Sequence, residues 1–265
     1  MKQKIFHALA VIFFSSITFY ANGQAKNVSL KEPIKVMTWT TKSAAAKELA
    51  LKGTNYLMNI EMPQAYDHFA SALKLDPDFT AALVILSNLS YGETRKMYAA
   101  KAMKSAGNKT PGEKQFASLV DEKGTVESRR NTWTSLHEMF PDDKMVGTYY
   151  VFTRETAVER FAAAQDYIKR FPEEASMYNI IAYYYLNDKK DNTEAKRNFE
   201  KYIELYPKGY NPFDSMAEFY LVTGDTTNAE KYYTMALEKY PFNNSSLNAM
   251  DKIESAKPKA ELKKE

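Results

Sequence analysis

The sequence predicts an all-α fold, an array of repeated helix-turn-helix units, on three observations. Apolar residues recur three and four positions apart along the chain, and no run of alternating apolar and polar residues persists. Six prolines (Pro77, Pro111, Pro141, Pro172, Pro207 and Pro241) stand 34, 30, 31, 35 and 34 residues apart, each closing an amphipathic segment. Nine glycines and ten prolines in 265 residues leave little for loop-rich architectures, and 45% hydrophobic with 26% charged residues is the balance of a chain that folds.

The first 23 residues are set apart from the fold. Lys2 and Lys4 precede an apolar run from Ile5 to Phe14, broken only by His7 and continued more mildly to Tyr20. Ala21-Asn22-Gly23 then places small residues at a cleavage site, so residues 1–23 read as a secretory signal with Gln24 first in the mature chain. An uncleaved anchor is the alternative, but the apolar stretch is short for the ~20 residues a span needs. Losing two lysines and no acids takes the formal charge from +3 to +1, which gives no charge-based case for nucleic-acid binding. The absence of cysteine excludes disulfides, thiol catalysis and a lipidated N-terminal cysteine, and an exported chain without disulfides suits a bacterial periplasm or medium.

Residues 24–42 read as an extended lead, because Pro33 opposes a helix and Trp39 is placed to dock on the first unit. Ser43 caps the first helix of a unit running from Ala46 to Pro77. Leu49 and Tyr56 form its first apolar stripe, Gly53 lets the second helix approach, and Ala65, Phe69 and Ala72 form the facing stripe. Lys52 departs from the pattern. The second unit, Thr80 to Pro111, carries Leu83, Leu86, Ala99, Met103 and Ala106 in phase, with Ser87 and Ser90 on its first helix. The third, ending at Pro141, carries Phe116, Ala117, Val120, Gly124, Trp133 and Leu136. The fourth, ending at Pro172, is the most degenerate, its first helix marked by Val146, Gly147 and Tyr150. The fifth has Tyr178, Ile181, Ala182 and Tyr185, one extra residue in the Asn187 to Asn192 turn, then Ala195, Phe199 and Tyr202 before Pro207.

The clearest unit runs from Tyr210 to Pro241. Phe213, Met216 and Tyr220 form one stripe around the small Ala217; Gly224 permits the turn; Ala229, Tyr233 and Ala236 form the facing stripe. Asn211 reads as the N-cap, Pro212 as the first helical residue and Asp214 as the acid in the first turn. A last helix, capped by Asn244 or Ser245 and ending near Ala256, would close the array with Asn248, Asp251, Lys252 and Glu254 facing water. Residues 257–265 form a lysine-rich tail that reads as a frayed, solvated end.

These positions resemble the tetratricopeptide-repeat consensus, strongly in the first and last units, over about residues 43–256. The resemblance implies a right-handed solenoid of about six units plus a capping helix, thirteen helices in all. It also implies a non-catalytic scaffold that holds a protein or peptide in a concave groove lined by the first helices. Carried onto this chain, the groove positions are Asn88 and Tyr91 with Val84; Phe152 with Lys144, Thr148 and Val151; Asn179, Tyr183, Leu186 and Asn187; and Asp214, Glu218 and Leu221 with Val222. Within the Tyr183-Tyr184-Tyr185 run, Tyr185 is core by register and Tyr183 faces the groove, where tyrosine offers large contact area at low entropic cost. Ala50 and Thr54 leave the first unit without a basic clamp for a chain-terminal carboxylate.

No catalytic chemistry is legible. His68 and His137 have no second histidine at helical spacing, and the carboxylate pairs Asp121-Glu122, Asp142-Asp143 and Glu173-Glu174 fall at helix ends or turns. Glycine-rich phosphate loops, nucleophile elbows and calcium loops are absent, so neither cofactor nor metal is expected. Two other classes stay open: a carbohydrate-binding envelope protein that stacks groove tyrosines on sugar rings, and, with less support, an enzyme whose site is assembled from distant residues.

Overall fold

A computed structural model describes residues 33–256; the expected signal, residues 24–32 and the lysine-rich tail lie outside the described residues. Pro33 and Ile34 belong to a separate unit, Met1–Ile34, and everything below concerns the unit that begins at Lys35. Among the described residues there are thirteen α-helices and no strand: α1 (Ala44–Met58), α2 (Met62–Leu75), α3 (Thr80–Asn88), α4 (Gly92–Ser105), α5 (Pro111–Ala117), α6 (Val126–Met139), α7 (Lys144–Phe152), α8 (Ala157–Arg170), α9 (Ala175–Tyr184), α10 (Asn192–Leu205), α11 (Asn211–Val222), α12 (Thr226–Lys239) and α13 (Asn244–Ala256). Successive helices pair as six antiparallel hairpins, and α13 covers the last one through Ile253, which packs with Ala229 and Tyr233. Asn248, Asp251, Lys252 and Glu254 face water, as a closing helix requires.

Local chemistry starts most of these helices. Side chains of Ser43, Asp143, Asp191 and Asp225 accept from the first-turn amides of α1, α7, α10 and α12. Thr110 with Glu113, Thr125 with Ser128 and Thr156 with Glu159 form reciprocal capping boxes at α5, α6 and α8. Close helix contact rests on small residues at matched positions. A Cβ at Gly53 would lie 2.9 Å from the Phe69 ring, and one at Gly147 would overlap the Tyr167 ring. The fourth, most degenerate unit therefore keeps the same close approach as the first.

Several details differ from the sequence reading. Pro111 does not close a second helix; it is the first residue of α5, and α4 tapers through a 3-10 turn at Ala106–Asn108. Both placements suit a residue without an amide hydrogen. On α4 Ala99 is buried as expected, but the second buried residue is Ala102 rather than Met103, which is 44% exposed. Asn243, not Asn244 or Ser245, precedes α13, and its Oδ1 accepts from Ser245 N at 3.3 Å. The extra residue of the fifth unit is absorbed in a π-turn, Tyr185–Lys189, which ends with Lys190 in the left-handed region. Asn211 is already helical, and Tyr210 before it supplies no side-chain cap.

The lead runs extended from Lys35 to Lys42, its amides held by carboxylates at the helix ends. Lys35 N donates to Asp142 at 2.7 Å, Met37 N to Asp143 at 3.1 Å, Thr40 N to Glu113 at 2.7 Å and Lys42 N to Asp76 at 2.9 Å. Trp39 is buried, its ring edge-on to Phe79 and tilted against Phe69 of α2. The lead so joins the apolar cluster of the first three hairpins and the start of α7.

The missing cap of α11 comes from the far end of the array. Glu61, in the turn between α1 and α2, is 2% exposed. Its Oε1 accepts from Tyr210 N at 2.7 Å and from Asn211 N at 3.4 Å, and its Oε2 accepts from Tyr206 Oη at 3.0 Å. Beside it, Asn59 O accepts from the fully buried Tyr202 hydroxyl at 3.3 Å, and Asn211 Nδ2 donates to the same hydroxyl at 3.0 Å. A negative charge is favoured at a helix N-terminus, where amides are unpaired. The first hairpin is thereby latched to the fifth and sixth.

This packing has three measurable consequences. Glu61→Ala strands the Tyr210 amide and the Tyr206 hydroxyl, so urea unfolding is expected to show a loss of about 2 kcal/mol or more; an unchanged midpoint would remove the latch from the energetics. Burial raises the Glu61 carboxyl above its ordinary 4.5, against the lowering pull of its hydrogen bonds to Tyr206, Tyr210 and Asn211. The folded state then binds this proton more tightly than the unfolded chain, so Glu61's contribution is greatest below the ordinary value and declines as pH rises through the raised one. Stability of wild type relative to Glu61→Gln is accordingly expected to fall as pH rises from the ordinary carboxylate value through the raised one, and a pH-independent difference would contradict it. Gly147→Ala drives a methyl into the Tyr167 ring and is expected to cost about 1–3 kcal/mol in the same assay.

Candidate binding clefts

The groove positions expected from the sequence divide among four environments: core, polar contacts within the fold, exposed surface and cleft wall. Val84, Thr148, Val151 and Leu186 are core, each 4% exposed or less. Leu186 departs from expectation because the π-turn begins one residue before it. The wider turn changes the phase of the helix, and Leu186 swings inward to pack with Ala182, Phe199 and Phe219. Asp214 is committed to structure, accepting from Asn243 Nδ2 at 3.0 Å and Ser246 Oγ at 2.5 Å and so tying α11 to the start of α13. Lys144 is likewise held, 2.7 Å from Glu173 and 2.6 Å from Glu174. Tyr91 stands apart, 90% exposed ahead of α4, while Leu221 and Val222 are exposed at the end of α11.

Phe152, Asn179, Tyr183 and Asn187 come together. With Ile60 and Met62 they line a cleft of about 480 Å³ between the ends of α7 and α9 and the α1–α2 turn. Tyr183 is fixed in place: its hydroxyl donates to Glu218 at 2.6 Å and its ring meets Phe199 edge-on at 5.1 Å. Burial, with the Glu218 charge next in effect, pushes the Tyr183 phenol well above its ordinary value, so it remains a neutral donor at physiological pH. Asn179 is 5% exposed, and its Oδ1 has no protein partner. Tyr184 and Tyr185 serve packing. Tyr184 is buried and stacks on Phe161 at 4.1 Å, and the half-buried Tyr185 meets the same ring edge-on at 5.5 Å.

Asn88 and Phe152 also line a second cleft of about 610 Å³, with Trp133, Tyr149, Arg129, Arg130 and Arg154. Met62 and Phe152 are common to both clefts. Ile60 and Met62 were not legible as site residues, since they belong to the turn of the first hairpin and reach the cleft only through the latch. Neither histidine resembles a ligand position. His68 Nδ1 lies 2.8 Å from Gln64 O, and His137 stacks on Tyr150 at 4.4 Å with its pKa lowered by burial and then by Arg170 and Arg154. Among the described residues no group of three His, Cys, Asp or Glu could hold a metal ion, and no helix is long and apolar enough to cross a membrane.

Residues 176–209, spanning α9 and α10, match the model of a tetratricopeptide-repeat family. No curated protein matches the chain. Among solved structures the chain is similar to a thermophilic tetratricopeptide-repeat protein of Thermus thermophilus, at 18% identity and a TM-score of 0.35, over 80% of this chain and 98% of that one. It is also similar to PilW, a type IV pilus biogenesis factor, at 11% identity and a TM-score of 0.46, over 78% of this chain and 99% of that one. A third likeness is to the TPR2AB domain of yeast Sti1, solved as a complex with pHSP90, at 16% identity and a TM-score of 0.33, over 79% and 96%. Residues 176–209 thus carry a tetratricopeptide repeat, and helical hairpins of the same pattern lie on both sides of it.

Proposed function

We propose that this protein is an exported, non-catalytic scaffold that holds an extended segment of another protein in the cleft bounded by Phe152, Asn179, Tyr183 and Asn187. The observation that carries the reading is the Asn179 amide. A polar oxygen buried without a partner is costly, and the cleft wall that holds Asn179 combines the apolar Ile60, Met62, Phe152 and Ile180 with the polar Arg160, Asn187 and Asp188. That oxygen is sealed from solvent in the unbound chain; a turn of the Asn179 side chain would bring it to a peptide amide in the cleft, while the peptide's side chains pack on Phe152 and Tyr183. Apolar walls with few placed polar groups are the usual make-up of a binding cleft. Tyr183 enters binding already oriented by Glu218 and Phe199, which lowers the ordering cost. The secretory signal read at residues 1–23 supports a site of action outside the cytoplasm.

The test is a crosslinking pulldown with mature chain from an envelope extract. A specific protein partner is expected, with recovery reduced roughly tenfold by Asn179→Ala and further by Tyr183→Ala, both checked for unchanged helicity. Recovery indifferent to both substitutions, or glycan binding with no protein partner, would sink the reading. N-terminal sequencing of exported protein should begin at Gln24.

A further inference from the structure

The second cleft has a different chemistry from the first. Its floor is an aromatic ladder: Trp133 and Tyr149 stack at 4.6 Å and 13°, and Phe152 meets Tyr149 edge-on at 5.9 Å. Its rim is cationic. Arg129, Arg130 and Arg154 line it, and Glu155 is the one acid among its lining residues.

The three guanidinium groups are held in position by protein oxygens. Arg129 donates to Leu119 O at 3.0 Å and Asp121 O at 3.2 Å. Arg130 donates to Thr153 O at 3.1 Å and to Glu155 at 2.8 Å. Arg154 donates to Tyr150 O at 2.9 Å and Thr134 Oγ1 at 2.8 Å, with its guanidinium 4.2 Å over the Tyr150 ring. Most of these acceptors are carbonyls or a hydroxyl, which orient a guanidinium without neutralising it, and further N–H donors on each remain unused. Among the described residues, Arg130 alone of the three has an ion-pair partner, the largely exposed Glu155. Three pre-positioned cations against one acid, above an apolar floor, are complementary to carboxylates spaced along an apolar segment.

We infer that this cleft recognises an acidic, extended segment of a partner protein, its carboxylates on Arg129, Arg130 and Arg154 and an apolar side chain on Trp133, Tyr149 and Phe152. The inference rests on the peptide-holding reading above and gives the partner a chemistry.

The experiment uses the mature chain and fluorescence anisotropy with a short labelled peptide alternating Glu with Phe and Leu. A second peptide has every Glu replaced by Gln. The acidic peptide is expected to bind at least about tenfold more tightly than its Gln counterpart. Raising NaCl from about 50 to about 500 mM should weaken only the acidic one. Arg154→Gln and Arg130→Gln should each cost about tenfold, with thermal unfolding read in parallel; the salt titration on wild type needs no variant. Equal affinity for the two peptides, or no binding of either, overturns the inference. Displacement of the acidic peptide by inorganic polyphosphate at equal charge, with the aromatic residues of the peptide dispensable, overturns it too, in favour of a general polyanion site. Loss of the acidic preference while capture dependent on Asn179 and Tyr183 persists would leave the scaffold reading standing. Acidic-peptide binding without that capture would defeat the first cleft and keep the second.

Discussion

The buried carboxylate of Glu61 is the constraint on which the rest of this architecture turns. An array of helical hairpins ordinarily touches only its neighbours, and its stability is close to a sum of local terms. Here one turn of the first hairpin supplies the N-terminal cap of α11, a helix whose own preceding residue, Tyr210, supplies none. Closing so long a stretch of chain carries an entropic cost, but that cost grows only slowly with length. The intervening hairpins also keep the two ends in place once folded. Burying the carboxylate opposes the latch, as its raised pKa records, and hydrogen bonds from Tyr206, Tyr210 and Asn211 offset that burial. The contact space around Glu61 is tight enough that a Cβ at Gly209 would come within 2.6 Å of Oε1.

The same turn carries a second sign of constraint. Ile60 has φ +65°, where the last hairpin uses Gly224 at φ +87° for the corresponding turn. A β-branched residue in the left-handed region is strained by about 1 kcal/mol or more. What holds it is position: Asn59 and Glu61 on either side are fixed by Tyr202 and by the start of α11, and Ile60 itself becomes a wall of the first cleft. Strain in the turn, closure of the array and shape of the cleft are thus consequences of one short segment.

Much of the fold was legible because it depends on local rules. Periodicity, Gly53, Gly147 and the prolines mark hairpins whose partners are sequence neighbours, and caps such as Ser43 and Thr156 act within one turn. Departures arose where a local rule has two outcomes. Proline suits both the residues after a helix and the first residue within one, so Pro111 could begin α5 as readily as end α4. An inserted residue can lengthen a loop or widen a helical turn. Its absorption as a π-turn carried Leu186 from the expected groove into the core while leaving Asn179 and Tyr183, on the preceding turns of α9, where regular spacing puts them. The latch was illegible for a different reason. Glu61 ahead of Pro63 reads as an ordinary acid at the start of α2, and no spacing rule connects it to a helix near the far end of the chain.

The latch also bears on how the clefts would bind. Ile60 and Met62 flank Glu61, and Met62 lines both clefts. An array free to flex between hairpins would have to order itself around a partner and lose affinity in doing so. A closed array has met that entropy on folding, and its clefts are preformed: Tyr183 is set by Glu218, and Arg154 by Tyr150 and Thr134. Rigidity of this kind favours discrimination over adaptability, because a segment that cannot place an amide at Asn179 or a carboxylate near the arginines gains nothing from a compensating movement of the walls. The buried acid, whose own contribution declines as pH rises, thus fixes the turn whose neighbours Ile60 and Met62 wall the clefts.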